Sequence, residues 1–298
     1  MQKAPTPKRT VWTPLALVRW TADYFKTHHI KSARSEAEIL LARTLGVRRI
    51  DLYLDHDRPL DPGELADYKA LIKRRITREP VAYITQHREF WSLELAVNPA
   101  VLIPRPETEC LVESVLPFLD DPADGPKRIL DMGTGSGAIV IALAHEHPEH
   151  RYLASDQSAS ALRTARQNAR THGLEPCIDW CCADWDTAFA PGRARFDLIV
   201  SNPPYIRRHD IPRLQAEIRL YEPLSALDGS EDGLKCLRHI IGAAHRYLNH
   251  GGWLALEMGF DQKNDVSDIV ERSGQYMDLR IIKDYSGMDR VVVMQKKE

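Results

Sequence analysis

The stretch RILDMGTGSG (residues 128–137) decides the fold. It starts as a short apolar strand and ends in glycines at alternate positions, Gly133, Gly135 and Gly137. Glycine permits positive φ and a close approach of a ligand to the backbone, as in nucleotide-binding turns at the carboxyl ends of parallel strands. The dinucleotide fingerprint has the register G-x-G-x-x-G, which differs from this one. Asp131, just before the glycines, suits the ammonium end of S-adenosylmethionine better than a pyrophosphate.

Around this turn the chain alternates between strand and helix patterns. Strands are predicted at 128–132, 152–155, 178–183, 196–201 and 253–257, and helices at 138–145, 158–172, 233–248 and 262–271. Such alternation indicates a mostly parallel sheet with helices on both faces. The last two strand patterns, 277–284 and 290–295, are too close together for a parallel crossover. We therefore predict an α/β fold with a class I Rossmann-like methyltransferase sheet, which is mostly parallel with one antiparallel strand near the C-terminus.

The region before this sheet has a different pattern. From Thr13 to about Arg78, apolar residues recur three and four apart, which predicts a small all-helical bundle. From Phe90 to Ile103 the residues alternate in the manner of a β-hairpin, with an interruption at Asn98-Pro99. We therefore predict a helical bundle at 1–85, a β-hairpin linker at 86–105 and a methyltransferase domain at 106–298.

Composition limits the kinds of function. The 298 residues include 40 basic and 42 acidic side chains, so overall charge does not favour binding to a nucleic-acid backbone. A basic stretch on the last bundle helix is either a solvated face or a docking face: Lys69, Lys73, Arg74, Arg75 and Arg78. The five cysteines show no zinc-type spacing, so reduced thiols and no metal are expected. No apolar run approaches the length of a membrane span, and no signal-type apolar core follows the N-terminus. We therefore expect a cytoplasmic monomer without membrane contact.

Acidic residues close the second and third predicted strands. Asp156 closes the second predicted strand 23 residues after Gly133, where a carboxylate can accept both hydroxyls of a ribose. It can also cap the helix that begins near Ala159, and the two roles are compatible. Asp184, or the backbone beside it, can face the amino group of adenine, and Trp185 can pack on the adenine ring. As a plain strand end, this pair would need no function.

The fourth strand leads into Asn202-Pro203-Pro204-Tyr205. Two prolines cannot continue a central strand, so the chain leaves the sheet beside the cofactor turn. A carboxamide nitrogen is a poor nucleophile because its lone pair is delocalised. The side-chain oxygen of Asn202 and the carbonyl of Pro203 can hold both N–H bonds, and hydrogen bonds to developing charge are worth ~1.5 to 3 kcal/mol each. Tyr205 offers a ring on which a planar group can stack.

At this point the sequence resembles a known family, the peptide chain release factor N5-glutamine methyltransferases, or HemK/PrmC family. The resemblance covers the chain from about Trp12 onward and includes the glycine turn and the Asn-Pro-Pro-Tyr run. It also includes REPVAYI (78–84), Phe90-Trp91 and EPLSAL (222–227). The most specific segment is VLIPRPETE (101–109). Small departures from the family pattern occur at Met132 and Ser155.

The resemblance implies roles for individual residues. The donor would be S-adenosylmethionine, giving S-adenosylhomocysteine, and its contacts would be Gly133, Thr134, Gly135, Ser136, Gly137, Asp156, Trp185 and Asn202. Asn202 to Tyr205 would hold the glutamine of the Gly-Gly-Gln motif in class 1 release factors. The helical bundle would dock the release factor, and no nucleic acid would be bound directly.

The sequence leaves three other functions open. A related group methylates a glutamine of a large-subunit ribosomal protein and typically lacks the Pro-Glu-Thr-Glu continuation found here. DNA adenine N6-methyltransferases share Asn-Pro-Pro-Tyr, but they need a target-recognition region and a basic cleft for a flipped base. A protein that binds S-adenosylmethionine without catalysis would show no turnover, and the intact Asn202 to Tyr205 set argues against it.

Overall fold

The computed structural model describes residues 11–120, 125–190 and 195–298. The chain divides into two compact units, residues 1–85 and 86–298. Each unit has its own apolar core. Among the described residues, every helix is too short or too polar to cross a bilayer.

The N-terminal unit is helical, with α1 Pro14–Thr27, α2 Ala33–Leu45, α3 Asp51–Leu54, α4 Pro62–Ile76 and α5 Val81–Thr85. Helix α4 begins with a capping box, in which the Asp61 carboxylate accepts from the Glu64 backbone and Glu64 accepts from the Asp61 backbone. Helix α2 ends at Gly46 in the left-handed conformation. The apolar stripes meet in a core that includes Phe25, Leu40, Leu41, Tyr68 and Ile72.

The second unit opens with a hairpin formed by β1 His87–Phe90 and β2 Leu93–Ala96. Its turn is Trp91-Ser92, so the hairpin lies earlier than the sequence pattern indicated, and residues 101–103 form no strand. Both turn residues have positive φ, 53° and 56°, as a two-residue hairpin turn that matches strand twist requires. The Trp91 N–H donates to Glu109 Oε1 at 2.9 Å, and its indole N–H donates to Glu146 Oε1 at 2.6 Å. These contacts hold a turn that no glycine marks.

The hairpin packs on the rest of its unit. The buried side chains of Phe90, Leu93 and Leu95 pack in the same apolar core as the helices that cover one face of the main sheet. The Asn168 side chain accepts from Ala96 N at 2.8 Å and donates to Ala96 O at 3.0 Å and to Ser136 O at 2.9 Å. One carboxamide therefore joins the hairpin to the glycine turn.

The main sheet has seven strands in the order β5-β4-β3-β6-β7-β9-β8. The strands are β3 Arg128–Met132, β4 Arg151–Asp156, β5 Ile178–Cys182, β6 Phe196–Ser201, β7 Leu248–Glu257, β8 Tyr276–Lys283 and β9 Asp289–Lys296. β3 to β7 pair in parallel, and β9 is antiparallel to both β7 and β8. The predicted fold class, with one reversed strand near the C-terminus, is confirmed.

Helices cover both faces of this sheet. These helices are α6 Glu109–Val115, α7 Ala138–Glu146, α8 Ala159–Thr171, α10 Lys235–Ala244 and α11 Lys263–Ser273, and a further short helix is α9 Ala216–Tyr221. Successive strand residues point to opposite faces, so Leu198 packs in the core with α6 and α7, and Ile199 packs in the core with α10 and α11. The order in which the chain crosses the sheet brings the carboxyl ends of β3, β4 and β6 together.

Candidate active site

A cavity lies at the carboxyl ends of β3, β4 and β6 and is open to solvent. Most residues predicted for the cofactor line it: Gly133, Thr134, Gly135, Ser136, Asp156, Asp184, Trp185 and Asn202. Another part of the wall comes from the segments 100–108 and 223–226, which the sequence had marked only through the family resemblance.

The glycine turn, residues 133–137, has positive φ at all three glycines: 74°, 57° and 85°. The amides of Gly133 and Thr134 donate to Ser155 O at 2.8 and 2.9 Å, which fixes the turn to β4. Gly137 has a packing role. A Cβ there would lie 2.8 Å from Ile141 Cδ1 and 3.1 Å from Ala165 Cβ, so its lack of a side chain allows α8 to approach the turn.

Asp156 lines the cavity at the end of β4. Its Oδ2 accepts from Gly135 N at 2.9 Å and its Oδ1 accepts from Ser158 N at 2.8 Å. Helix α8 is capped by Ser158, whose hydroxyl accepts from Ala161 N. Burial raises the pKa of Asp156, and the two backbone donors oppose this rise. Each carboxylate oxygen can accept a further hydrogen bond from a ligand.

Asp184 and Trp185 lie just beyond β5, and both line the cavity. The Trp185 ring lies over the glycine turn, because a Cβ on Gly133 would be 3.7 Å from Trp185 Cζ3. Trp185 has φ 48°, a conformation that aims a bulky side chain in an unusual direction. The next residue, Asp186, accepts from His239 at 2.7 Å and from Tyr247 at 2.9 Å, which anchors this strand end.

Asp131, expected near the ammonium group of a ligand, is fully buried beneath the turn and does not line the cavity. Its Oδ2 accepts from Thr134 Oγ1 at 2.7 Å, and its Oδ1 has no hydrogen-bond partner among the described residues. Burial raises the pKa of this carboxyl from 3.8 to about 7. Asp131 therefore supports the turn from below, through Thr134.

The Asn-Pro-Pro-Tyr corner, residues 202–205, follows β6 at the edge of the cavity. Asn202 and Pro204 line the cavity, whereas Pro203 is buried. The Tyr205 ring packs against the sheet core, and its hydroxyl donates to Glu257 Oε1 at 3.0 Å. A glutamine, Gln262, fixes the corner from behind, since its Nε2 donates to Tyr205 O at 3.1 Å.

A hydrogen-bonded network connects this corner to a buried carboxyl group. Asn202 Nδ2 donates to Thr108 Oγ1 at 3.1 Å, and Thr108 Oγ1 donates to Glu257 Oε2 at 2.6 Å. With the Tyr205 hydroxyl, these residues form what we call the Glu257 network. Sequence reasoning missed Thr108 and Glu257 as site residues. The only available signals were the position of Thr108 in the Pro-Glu-Thr-Glu run and that of Glu257 at a strand end.

An ion pair joins two segments of the cavity wall. Arg105 Nη2 lies 2.6 Å from Glu222 Oε1, and Ile103 N donates to Glu222 Oε2 at 3.3 Å. The Glu222 side chain is 1% exposed, while that of Arg105 is 29% exposed. The pair joins the segment before α6 to the segment after α9, so both segments are held at the cavity.

One cluster elsewhere has side chains of the type that bind metals. Ligand atoms of His147, Glu149 and His150 lie within 4.8 Å of one another. Both ring nitrogens of His150 contact backbone, Leu119 O at 3.2 Å and Lys127 N at 3.4 Å. His147 lies 3.1 Å from Glu149. These contacts suit a helix-end structure, and the absence of a metal site stays a prediction.

Comparisons with known proteins agree with this arrangement. Residues 16–85 match the model of the PrmC N-terminal domain, and residues 111–218 match that of the methyltransferase small domain. A release factor glutamine methyltransferase of Geobacter sulfurreducens is 42% identical over 288 residues, covering 96% of this chain and 98% of that protein. A protein of the same name from Rhodopirellula baltica is 35% identical over 295 residues, covering 98% and 99%.

Solved structures support the fold. A methyltransferase of Pyrococcus furiosus superposes with a TM-score of 0.52 at 18% identity, covering 78% of this chain and 100% of that one. The human methyltransferase 10 domain containing protein gives a TM-score of 0.51 at 16% identity, covering 68% and 88%. At such identities the likeness concerns architecture only.

Proposed function

Since this chain belongs to the release factor glutamine methyltransferase family, we propose that it methylates the side-chain amide nitrogen (N5) of the glutamine in the Gly-Gly-Gln motif of class 1 peptide chain release factors. The methyl donor is S-adenosylmethionine, and the product is S-adenosylhomocysteine. The observation that carries the proposal is the position of Asn202, which lines the same cavity as the glycine turn and Asp156.

The cavity residues suit S-adenosylmethionine. Asp156 offers carboxylate oxygens for ribose hydroxyls, and the Trp185 ring and Asp184 lie at the next strand end, where adenine would bind. The glycine turn allows close approach to the backbone, and Thr134, Ser136 and Asn202 complete this side. When bound, the donor supplies a methyl group on a positively charged sulfur.

The corner residues can prepare the amide. Asn202 Oδ1 and the Pro203 carbonyl accept the two N–H bonds, which directs the nitrogen lone pair toward the donor and stabilises the charge that grows on nitrogen. Orientation contributes further, since a fixed near-attack geometry replaces a search by two free reactants. Pro204 forms a rigid wall beside Asn202. The Tyr205 ring, predicted as a stacking surface for the amide, instead packs against the sheet core behind the corner.

The N-terminal unit serves as the docking module for the release factor. Trp20 is 47% exposed and stacks on Tyr24 at 5.2 Å between ring centroids, beside the exposed Lys69 and Lys73. The rest of the basic stretch is engaged within the bundle: Arg74 with Glu79, Arg75 with Glu36, and Arg78 with His29 O. A Trp20→Ala variant should raise KM for the whole release factor while leaving KM for a short Gly-Gly-Gln peptide unchanged. An equal rise for both substrates would contradict docking.

The central test uses purified full-length protein and labelled S-adenosylmethionine. Release factor, large-subunit ribosomal protein and duplex DNA are offered separately, and the label is mapped by mass spectrometry. We expect label on the glutamine of Gly-Gly-Gln, and none on a release factor in which that glutamine is alanine. Asn202→Ala should lower kcat by about 100-fold or more, as for loss of an oxyanion-hole donor, with cofactor affinity largely kept. Label on the ribosomal protein or on adenine alone would overturn the proposal.

A further inference from the structure

Glu257 is a buried carboxyl group with two hydroxyl donors and a place at the reacting corner. It is 1% exposed, and its two oxygens accept from Thr108 at 2.6 Å and from Tyr205 at 3.0 Å. Glu257 ends β7 beside the end of β6, since Leu256 pairs with Ser201, the residue before Asn202. Its contact with Thr108 spans 149 positions of sequence.

The number of available protons fixes the direction of these hydrogen bonds. A threonine hydroxyl carries one proton, and Thr108 donates it to Glu257. Its oxygen can then only accept, so the group that Asn202 presents to it must be the NH₂. The other end of the carboxamide, Oδ1, is left to face the cavity. A side-chain amide that could otherwise rotate by 180° is therefore held in one orientation.

We propose that Glu257, acting through Thr108, holds Asn202 with its oxygen toward the substrate, and so selects a glutamine amide over a glutamate carboxylate. This inference rests on the proposed function and deepens it. A glutamine nitrogen brings two N–H donors, which match an acceptor. A carboxylate brings only acceptors, which meet the Asn202 oxygen unfavourably and would need the NH₂ instead.

The groups around Glu257 act on the pKa of its carboxyl in opposite directions. Burial raises the pKa of Glu257, while the Thr108 and Tyr205 hydroxyls and the nearby Arg290 oppose that rise. Burial also raises the pKa of the Tyr205 hydroxyl, so this group stays a donor. Arg290 itself is bound to Asp284 at 3.1 Å and to Met258 O at 3.3 Å. Glu257 and Thr108 are thus positioning residues that act on Asn202.

Substitutions that change donors without changing shape test this inference. Glu257→Gln keeps the size but adds an NH₂ that can donate to Thr108, which frees Thr108 to donate to Asn202 Oδ1 and turn the carboxamide. Thr108→Val removes the hydroxyl. We expect each variant to lower kcat about 100-fold, with the Kd for S-adenosylmethionine changed by less than about three-fold. Thr108→Ser keeps the hydroxyl and should restore kcat to within about five-fold of the wild type.

Thr164→Val provides a matched control. Thr164 is also buried, and its hydroxyl also accepts from an asparagine carboxamide, Asn98 Nδ2 at 2.9 Å. This substitution removes the same atoms without touching the Glu257 network, and kcat should be retained. In the double variant Thr108→Val/Glu257→Gln, the loss should equal that of Thr108→Val alone, because the proposed effect of Glu257 on Asn202 passes through Thr108.

A specificity measurement separates this role from a merely structural one. A release factor with Gly-Gly-Glu in place of Gly-Gly-Gln is used as an inhibitor of the methylation reaction. The wild type should bind it weakly, whereas Glu257→Gln should bind it about ten-fold more tightly, since the NH₂ of Asn202 can then face the carboxylate. Loss of folding would weaken binding of both release factors together.

Two failures are distinguishable. If the wild type transfers no methyl group to the release factor, the proposed function is wrong and the inference falls with it. If the wild type is active but Glu257→Gln and Thr108→Val keep kcat within about three-fold, or Glu257→Gln binds the Gly-Gly-Glu factor no better, the inference alone is wrong.

Discussion

Two glycines of the cofactor turn differ in the space around them, and this difference predicts how alanine will act at each. Gly135 and Gly137 both have positive φ, 57° and 85°. A Cβ on Gly135 meets only Gly133 O, at 4.0 Å. A Cβ on Gly137 would lie 2.8 Å from Ile141 Cδ1, 3.1 Å from Ala165 Cβ and 3.3 Å from Ala165 Cα.

The size of each effect follows from these distances. Alanine at a left-handed position costs ~1 to 2 kcal/mol, and both variants bear this cost. The gain from a less flexible unfolded chain, about 0.4 to 1 kcal/mol, also applies to both. Only Gly137→Ala adds overpacking, against Ile141 of α7 and Ala165 of α8, which costs ~1 to 3 kcal/mol. We therefore expect the free energy of unfolding to be lower for Gly137→Ala than for Gly135→Ala by ~1 to 3 kcal/mol.

Urea unfolding followed by tryptophan fluorescence measures this difference. Both substitutions lie in the same unit, so the same transition reports both, and unfolding of the N-terminal unit cancels in the comparison. The midpoint of Gly137→Ala should lie below that of Gly135→Ala, with an unchanged slope. Equal midpoints would refute the assignment of Gly137 to helix packing. A lower midpoint for Gly135→Ala would do the same.

Three other predictions concern charged groups in the second unit. Asp156→Ala should weaken S-adenosylmethionine binding about 100-fold or more, because hydrogen bonds to a charged acceptor are lost. A rise in Kd of less than about five-fold, measured by calorimetric titration, would exclude a ribose contact. Asp131 has a pKa raised from 3.8 to about 7, so the folded form binds its proton more tightly than the unfolded chain. Stability should fall by about 3 kcal/mol as pH rises from 4 to 7, and Asp131→Asn should lack this fall in denaturation curves at several pH values. An unaltered pH dependence would show that Asp131 does not cause it. Arg105→Ala leaves the buried Glu222 without its cation and should lower the free energy of unfolding by about 3 kcal/mol. The double variant Arg105→Ala/Glu222→Gln should regain most of this loss. A double variant no more stable than Arg105→Ala would contradict the pairing.

Local pattern was enough to predict the sheet and its turn. The glycine register, the strand and helix periodicities and the short final connection are all features of a few neighbouring residues, and they predicted the mostly parallel sheet that the structure shows. Asp156, Asp184, Trp185 and Asn202 were identified because strand ends on a parallel sheet meet at one edge. The structure brings all four to one cavity.

Features that depend on distant residues were not predictable. The hairpin turn at Trp91-Ser92 has no glycine or asparagine, and it is held by Glu109 and Glu146, which lie 18 and 55 positions away. The stronger turn signal, Asn98-Pro99, drew the prediction to the wrong place. The contact between Thr108 and Glu257 likewise joins separate segments that no local pattern connects.

The way the hairpin is attached determines where this protein can be divided. A fragment that began at residue 106 would lack Phe90, Leu93 and Leu95, and would leave their partners in the core open to water. It would also leave Asn168 without Ala96, so the carbonyl of Ser136 in the glycine turn would lose a support. A fragment that begins at Gln86 keeps all of these contacts.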